Sequence, residues 1–320
     1  MGAHHSTARS FGFEQPHGHL NAARAFLSPN LGCQGNRVRH RLYSALAIAL
    51  LMMPTAGPAQ QTPAPDPGPL RGQLYVPEMN TICGLGVTAS QGCQAIRDRR
   101  IIDASQSPWR AIGRVNFASI QIRKHCTGTL ISDRIVLTAA HCLYNYPRKS
   151  WIPPSSIRFV AGYQRGEFEA ASRVARYILD PVQDAGSRDF RARVPSQDWA
   201  ILVLEDPVGE ETGYLPPDFS DPAALEGSAS FVAGYSGLRA HILSAADDCG
   251  AITHLDDHDL FFQTCSVMGG DSGAPLIVSS TGREKVAGIV ASVITSPQGN
   301  RTAVVPVHVF RDAVKQVLDE

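Results

Sequence analysis

Residues 269–278 read GGDSGAPLIV, a serine set between glycines and followed at once by an apolar run. Glycine adopts backbone angles that other residues avoid, so this composition allows a tight turn with successive backbone N–H groups pointing at one spot. The run after the turn is short and bounded by turn residues, which is typical of a β-strand. The stretch therefore predicts that Ser272 is presented on a glycine turn beside a strand.

Two upstream stretches supply partners for that serine. A serine hydroxyl is a weak nucleophile and needs a base within hydrogen-bond reach. Residues 137–142 (LTAAHC) contain His141, and residues 198–202 (DWAIL) place Asp198 at the start of an apolar run. An imidazole can take and return a proton near neutral pH, and a carboxylate on its other nitrogen fixes the tautomer. Taken singly, each residue could equally be structural: a core histidine, a turn cap, an ordinary glycine turn.

Short apolar runs separated by turns continue on both sides of these motifs. They lie at 111–122, 128–140, 157–162, 199–204, 229–235, 273–278, 286–294 and 302–307. Many short strands with few helical periods between them predict an all-β barrel or sandwich, and 28 Gly and 22 Pro agree with a turn-rich fold. Helical spacing occurs at 309–318, which predicts a short C-terminal helix.

The three motifs, in the chain order His, Asp, Ser, resemble those of the trypsin/chymotrypsin family of serine proteases, in its secreted bacterial form. The α/β-hydrolase fold has the order Ser, acid, His and places a glycine where this chain has Ala274. The resemblance covers about 101–320. It implies two packed six-stranded antiparallel β-barrels, about 101–205 and 206–320, with the active site between them. It also implies a serine endopeptidase that forms an acyl-enzyme on Ser272, with no cofactor and no metal.

The resemblance also assigns the groups around the nucleophile. The backbone N–H groups of Gly270 and Ser272 are expected to form the oxyanion hole, which stabilises the negative oxygen of the tetrahedral intermediate. Ala291 replaces a serine that often supports the triad aspartate. One hydrogen bond to Asp198 is therefore expected to be missing.

The specificity pocket is expected to be small and neutral. Ser266, six residues before the nucleophile, stands where enzymes that cut after Lys or Arg carry an acid. Val293 and Ala303 replace the usual glycines of the pocket walls, and Val290 stands where glutamate-specific relatives tend to carry a histidine. The resemblance thus implies a preference for Ala, Val or similar residues before the cleaved bond.

Asp271 raises the question of activation. In the family, a new Ile or Val N-terminus pairs with the acid that precedes the catalytic serine. Ile101 follows the basic run 97–100 (RDRR), so one hypothesis is a zymogen cut between Arg100 and Ile101, with Ile101 as the partner of Asp271. The alternative is that Asp271 bonds a backbone amide or a side chain, and that residues 80–100 stay attached as a structural extension.

Seven cysteines are present, and the resemblance implies how four of them pair. Cys126–Cys142 is the disulfide beside the catalytic histidine, and Cys249–Cys265 lies near the substrate pocket. Cys83–Cys93 then remains as a closed loop upstream; free thiols or metal ligands are the alternative, although the spacing fits no zinc template. The His- and Asp-rich cluster at 254–259 is interpreted as a solvated loop rather than a metal site.

Residues 1–59 are interpreted as an N-terminal extension with a signal peptide. Basic residues at 37–41 precede an apolar run at 42–53, too short to span a bilayer, and small residues follow it. Signal removal would discard Cys33 and leave an even number of cysteines, which favours a secreted or periplasmic protein. Residues 60–100 are interpreted as a Pro-rich linker or propeptide.

The charge balance narrows the choice of partners. Lys plus Arg equals Asp plus Glu at 29 each, which leaves no basic surplus of the kind that nucleic-acid binding requires. We expect protein or peptide substrates, no nucleic acid, no stable membrane anchor after signal cleavage, and a monomer. The alternative function is a catalytically inactive binding module on the same fold.

Overall fold

The structure is a computed structural model that describes residues 75–83, 91–118, 123–280, 282–296 and 299–320. The predicted signal peptide, Cys33 and most of the 60–100 linker lie outside these residues. Among the described helices, none is both long and apolar enough to cross a membrane.

The described chain is mostly β-structure. Its strands are β1 (Arg100–Ile101), β2 (Ile112–Ala118), β3 (Arg123–Leu130), β4 (Ile135–Thr138), β5 (Tyr144–Asn145), β6 (Ser150–Trp151), β7 (Ile157–Ala161), β8 (Ala170–Leu179), β9 (Ala200–Leu204), β10 (Ser230–Gly234), β11 (Ser244–Ala246), β12 (Thr253–Leu255), β13 (Leu260–Gln263), β14 (Pro275–Ser280), β15 (Arg283–Ser296) and β16 (Gly299–Pro306). Its α-helices are α1 (Gln91–Asp98), α2 (Gly209–Thr212), α3 (Pro222–Leu225) and α4 (Arg311–Leu318).

A closed six-stranded barrel with the order β2-β3-β4-β9-β8-β7 forms the first half. All four residues of β4 are buried, because this strand lies between β3 and β9. The pairing of β4 with β9 sets Thr138 opposite Ala200. That register brings the chain leaving β4 toward His141 beside the chain that enters β9 from Asp198.

The second half is an eight-stranded sheet with the order β1-β11-β10-β14-β15-β16-β13-β12. An isolated bridge between Ala229 and Ala251 joins the segments that lead into β10 and β12. It therefore brings β12, at one edge of the sheet, close to β10. The predicted mostly β fold is confirmed, with one closed six-stranded antiparallel barrel; where a second six-stranded barrel was predicted, the structure has an eight-stranded sheet. Ile101 pairs with Ser244 in the second sheet, and the strands of the closed barrel begin with β2.

One large hydrophobic core contains buried residues of both sheets, such as Leu137 from the first and Val305 from the second. The predicted C-terminal helix is present as α4, with Val314 and Val317 buried. Just before α4, the Phe310 ring stacks on Trp199, with centroids 4.9 Å apart. This contact packs the C-terminus against the residue that follows Asp198.

Candidate active site

His141 and Asp198 form a buried pair. His141 lies on a short 3-10 helix directly after β4, and Asp198 ends another one directly before β9. Nδ1 of His141 lies 2.7 Å from Oδ2 of Asp198, and the backbone N–H of His141 donates to Oδ1 at 2.8 Å. Since an aspartate holds Nδ1, the other ring nitrogen of His141 is the one left for proton transfer.

A third group bonds the same carboxylate. The hydroxyl of Tyr75 donates to Oδ2 of Asp198 at 3.1 Å. Burial, and after it the charge of Asp198, raise the pKa of Tyr75 well above its ordinary value, which keeps this hydroxyl protonated as a donor. Ala291 has no side-chain donor for Asp198, as its sequence implies. The hydroxyl of Tyr75, far upstream, supplies a hydrogen bond that the sequence did not predict.

The nucleophile loop depends on two glycines with positive φ. Gly270 has φ +102° and Gly273 has φ +76°. A Cβ on Gly270 would lie 2.4 Å from the carbonyl oxygen of Tyr235, and one on Gly273 would lie 2.2 Å from Oγ1 of Thr138. Both the backbone angle and the lack of space therefore require glycine, as the GGDSG motif predicted.

The two predicted oxyanion donors are oriented by bonds to their neighbours. In a trans peptide, the C=O and N–H point to opposite sides. The carbonyl of Gly269 accepts from the N–H of Gly237 at 2.7 Å, which turns the N–H of Gly270 the other way. The carbonyl of Asp271 accepts from Ala274 at 2.8 Å, with the same result for Ser272. Within the described ranges, neither N–H donates to a protein acceptor.

Asp271 is fully buried and paired with Arg99. The guanidinium donates to both carboxylate oxygens, from Nη1 to Oδ1 at 2.9 Å and from Nη2 to Oδ2 at 2.8 Å. Ile101, the predicted partner after cleavage, lies in β1 with its side chain exposed. In the intact chain, Asp271 is thus paired with Arg99 rather than with Ile101. A side chain can reach Asp271 because β1 anchors the neighbouring residues to β11.

The extension before β1 packs against the nucleophile loop. Cys83 and Cys93 form a disulfide, and both are buried with Ile96 of α1 and with Met268. The backbone N–H of Met268 donates to Oδ2 of Asp271 at 3.0 Å. The helix α1 and the disulfide therefore pack against Met268, and the ion pair holds Asp271, both in the segment that carries Ser272.

The predicted pocket residues lie around the second sheet. Val293 and Ala303 are buried, and Ser292, next to Val293, is paired with Ala303 across β15 and β16. Ser266 is half-buried, and its carbonyl accepts from Nη2 of Arg99 at 2.6 Å. The side chains at the three predicted positions carry no charge.

The active-site cleft has a volume of about 410 Å³ and is lined by both His141 and Ser272. Residues 77–80 form one wall. The carbonyl of Glu78 accepts from the backbone N–H of Val293 at 2.6 Å. Met79 is buried in the same hydrophobic cluster as Val293. The chain's own upstream segment therefore lies against β15 at Val293, one of the predicted walls of the specificity pocket.

All three predicted disulfides are present: Cys126–Cys142, Cys249–Cys265 and the remaining pair Cys83–Cys93. Cys126, Cys142 and His141 offer ligand atoms within 4.8 Å of one another. The two sulfurs are bonded to each other, so they are not thiolate ligands. In the 254–259 cluster, His254 pairs with Asp256, whose side chain is exposed.

Sequence reasoning missed Tyr75 and the role of Arg99. Tyr75 lies in a Pro-rich stretch without periodicity, where nothing local marks it. For Arg99 the basic run before Ile101 was a visible signal, and it was interpreted as a cleavage site. A basic run can equally supply an arginine that pairs with a buried aspartate elsewhere in the fold.

Comparison with known proteins gives a family match. A family model described as Trypsin matches residues 103–314. The glutamyl endopeptidase of Bacillus licheniformis is 24% identical over 192 residues, which is 59% of this chain and 55% of that protein. Serine protease 23 of Homo sapiens is 25% identical over 186 residues, 52% of this chain and 46% of that protein. The chain thus spans about half the length of these curated relatives.

A solved structure of a Glu endopeptidase in complex with MPD has a TM-score of 0.53 and 17% identity, over 69% of this chain and 96% of the other. At this identity, the likeness supports the fold alone.

Proposed function

The chain belongs to the trypsin family, and on that premise we propose that it is a serine endopeptidase with His141, Asp198 and Ser272 as its triad. The observation that carries the proposal is the buried His141–Asp198 pair, with Nδ1 and Oδ2 2.7 Å apart, facing the cleft that Ser272 also lines. A buried carboxylate partner on Nδ1 leaves the other ring nitrogen of His141 for chemistry in a cleft that is also lined by a serine on a glycine turn.

The reaction follows from these positions. His141 takes the proton of the Ser272 hydroxyl on Nε2 as the oxygen attacks the peptide carbonyl. The resulting oxyanion is stabilised by the N–H groups of Gly270 and Ser272, which point away from the hydrogen-bonded carbonyls of Gly269 and Asp271. His141 then returns the proton to the leaving amine, and water cleaves the acyl-enzyme by the reverse path. Asp198 stabilises the imidazolium throughout.

We propose a small neutral residue before the cleaved bond. The side chains at Ser266, Val293 and Ala303 are uncharged, and Val290 offers no cation for a glutamate substrate. The nearby guanidinium of Arg99 is already bonded to Asp271 and to the carbonyl of Ser266. The name of the Bacillus relative suggests glutamate instead. A cleavage profile therefore decides between these two specificities.

We also propose that the protein acts outside the cytoplasm. Six cysteines in the described ranges are joined in three disulfides. Disulfides of this number persist in oxidising compartments. The substrates would then be extracellular or periplasmic proteins and peptides.

The test is cleavage of a mixed peptide library by the purified protein, with Ser272→Ala as the blank. We expect cuts after Ala and Val that the blank does not make. Cuts after Glu would overturn the proposed specificity, but they would still support the proposed endopeptidase function. Equal, negligible cleavage by both proteins, together with no reaction of Ser272 with a fluorophosphonate, would favour the inactive binding module.

A further inference from the structure

The ion pair between Arg99 and Asp271 is buried on both sides. The Arg99 side chain is 2% exposed and that of Asp271 is 0% exposed. The guanidinium makes the bidentate contact that its planar fork favours, and its Nη2 also bonds the carbonyl of Ser266. A buried carboxylate without such a partner would be strongly unfavourable, so Asp271 depends on Arg99 for its position.

Asp271 lies between the two oxyanion donors in the chain. Its carbonyl bond to Ala274 orients the N–H of Ser272, and its carboxylate accepts from Met268, the residue before Gly269. A shift of Asp271 would therefore move the backbone on both sides of the oxyanion hole. Loss of one oxyanion donor is a large loss in catalysis.

We propose that Arg99 is a positioning residue that holds the oxyanion loop in its active form through Asp271, in the intact chain and without a new N-terminus. The inference rests on the proposed serine-protease function. Arg99 is covalently continuous with β1, which is paired with β11, so the counter-charge is in place before any cleavage. Cleavage between Arg100 and Ile101 is then not needed to build the site.

The test measures the rate at which diisopropyl fluorophosphate labels Ser272 in the full chain. This small reagent enters through the cleft and needs the oxyanion donors, but no extended peptide site. We expect Arg99→Met to slow labelling about a hundredfold, the size of the loss of one oxyanion donor. Arg99→Lys, which keeps the charge, should recover part of the rate. Methylguanidine should partly rescue Arg99→Ala, which a merely structural role does not predict.

The matched control is Arg100→Gln, which removes an exposed ion pair to Asp247 from the adjacent residue. Its labelling rate should equal that of the wild type. Should Arg99→Met fail to fold, Arg99→Gln decides: a rate below a tenth of the wild type supports the proposal. A folded Arg99 variant that labels like the wild type overturns it. A wild type that does not label at all would instead count against the proposed function.

A second, independent observation concerns the segment 75–83. Its carbonyl at Glu78 is bonded to Val293, its Met79 is buried with the pocket wall, and the N–H of Gly269 donates to Oδ1 of Asn80 at 3.2 Å. Val293 and Gly269 belong to the two stretches that border the predicted specificity pocket. The segment therefore lies against both stretches, and a cleft of about 410 Å³ remains beside it, lined also by Lys124 and His125.

We infer that residues 77–80 act as an internal inhibitor that competes with peptide substrates in the proposed enzyme. The segment is held at one end by the backbone bond of Tyr75 to Ala192 and at the other by the Cys83–Cys93 disulfide. An attached segment has a high effective concentration, so modest contacts are enough to exclude a free peptide. Ser272 would stay accessible to a small reagent through the open part of the cleft.

The test compares peptide hydrolysis by the full chain, by Met79→Asp and by the control Val76→Ser, whose native side chain is 58% exposed. Met79→Asp should raise kcat/KM at least tenfold, because a charged side chain leaves the apolar pocket. A synthetic peptide of residues 73–82 should then inhibit this variant competitively. Equal hydrolysis by all three proteins overturns the inference. If Met79→Asp does not fold, Met79→Ala decides: hydrolysis no faster than that of Val76→Ser overturns the inference.

Discussion

The hydroxyl of Tyr75 donates to Oδ2 of Asp198 across 3.1 Å, although the two residues are 123 positions apart in the sequence. The same oxygen accepts from Nδ1 of His141 at 2.7 Å. Two donors thus hold one carboxylate oxygen, one from the barrel and one from the upstream segment. Tyr75 thereby extends the hydrogen-bond network of the proposed triad into a part of the chain without recognisable motifs.

Tyr75→Phe should slow the labelling of Ser272 by a fluorophosphonate about tenfold, since a hydrogen bond to a charged group contributes about 1.5–3 kcal/mol. The ring, and with it the packing, is retained. Tyr214→Phe is the control, because the Tyr214 side chain is 52% exposed. Equal rates for both variants would show that the Tyr75 hydroxyl has no part in the network.

Asp198→Asn should reduce turnover about 10⁴-fold, because an amide favours the wrong imidazole tautomer and does not stabilise the imidazolium. Ser272→Ala and His141→Ala should be at least as damaging. Asp257→Asn, an exposed carboxylate in the 254–259 cluster, is the control and should keep full activity. Near-normal turnover in Asp198→Asn, measured on a cleaved peptide, would show that another acid serves the histidine.

Gly270→Ala and Gly166→Ala form a matched pair. Their φ angles are +102° and +104°, so the backbone strain of the substitution is similar. A Cβ on Gly270 meets the carbonyl of Tyr235 at 2.4 Å, whereas one on Gly166 meets nothing within 4 Å. Gly270→Ala should abolish labelling of Ser272. Gly166→Ala should lower the melting temperature slightly and leave the labelling rate intact; a similar loss in both would refute the steric argument.

Stability should fall as the pH drops from 7 to 5, in part through His125. Desolvation lowers the pKa of His125, although the bond of its Nε2 to the carbonyl of Tyr235 opposes this. A depressed pKa means that the unfolded chain binds more protons in mildly acidic solution. The stabilisation is therefore present above the unfolded value of about 6.5 and is lost below it.

The check is the free energy of unfolding, measured by urea at several pH values. One proton contributes a slope of at most about 1.4 kcal/mol per pH unit. His125→Gln keeps an N–H donor for Tyr235 and should flatten the curve between pH 5 and 7. An unchanged curve would show that His125 titrates normally in the folded protein.

The β-class and the trypsin-like architecture were predictable because they depend on local patterns. Short apolar runs and the glycine turn at 269–273 depend only on residues that are adjacent in the sequence. The Tyr75 bond to Asp198 was not predictable, because the two residues are 123 positions apart and nothing local marks Tyr75. A side-chain partner for Asp271 was one of two alternatives, but across 172 residues the sequence could not single out Arg99. One buried carboxylate can be satisfied by any donor that the fold brings near it. Only the three-dimensional structure identifies which donor that is.

The segment 75–83 escaped prediction for a related reason. Its Pro-rich composition indicates an extended chain without its own core, and an extended chain is the form that lies along a strand edge. Composition does not say which strand edge the segment contacts. The hydrogen bond from the backbone N–H of Val293 to the carbonyl of Glu78 shows that it is β15.

Mass spectrometry of the full chain after treatment with a fluorophosphonate tests whether Ser272 is an activated nucleophile, with His141→Ala as the matched inactive variant. We expect one adduct, on Ser272, in the wild type and none in His141→Ala. A folded wild type with Ser272 unmodified, or equal labelling in both proteins, would show that His141 does not activate Ser272.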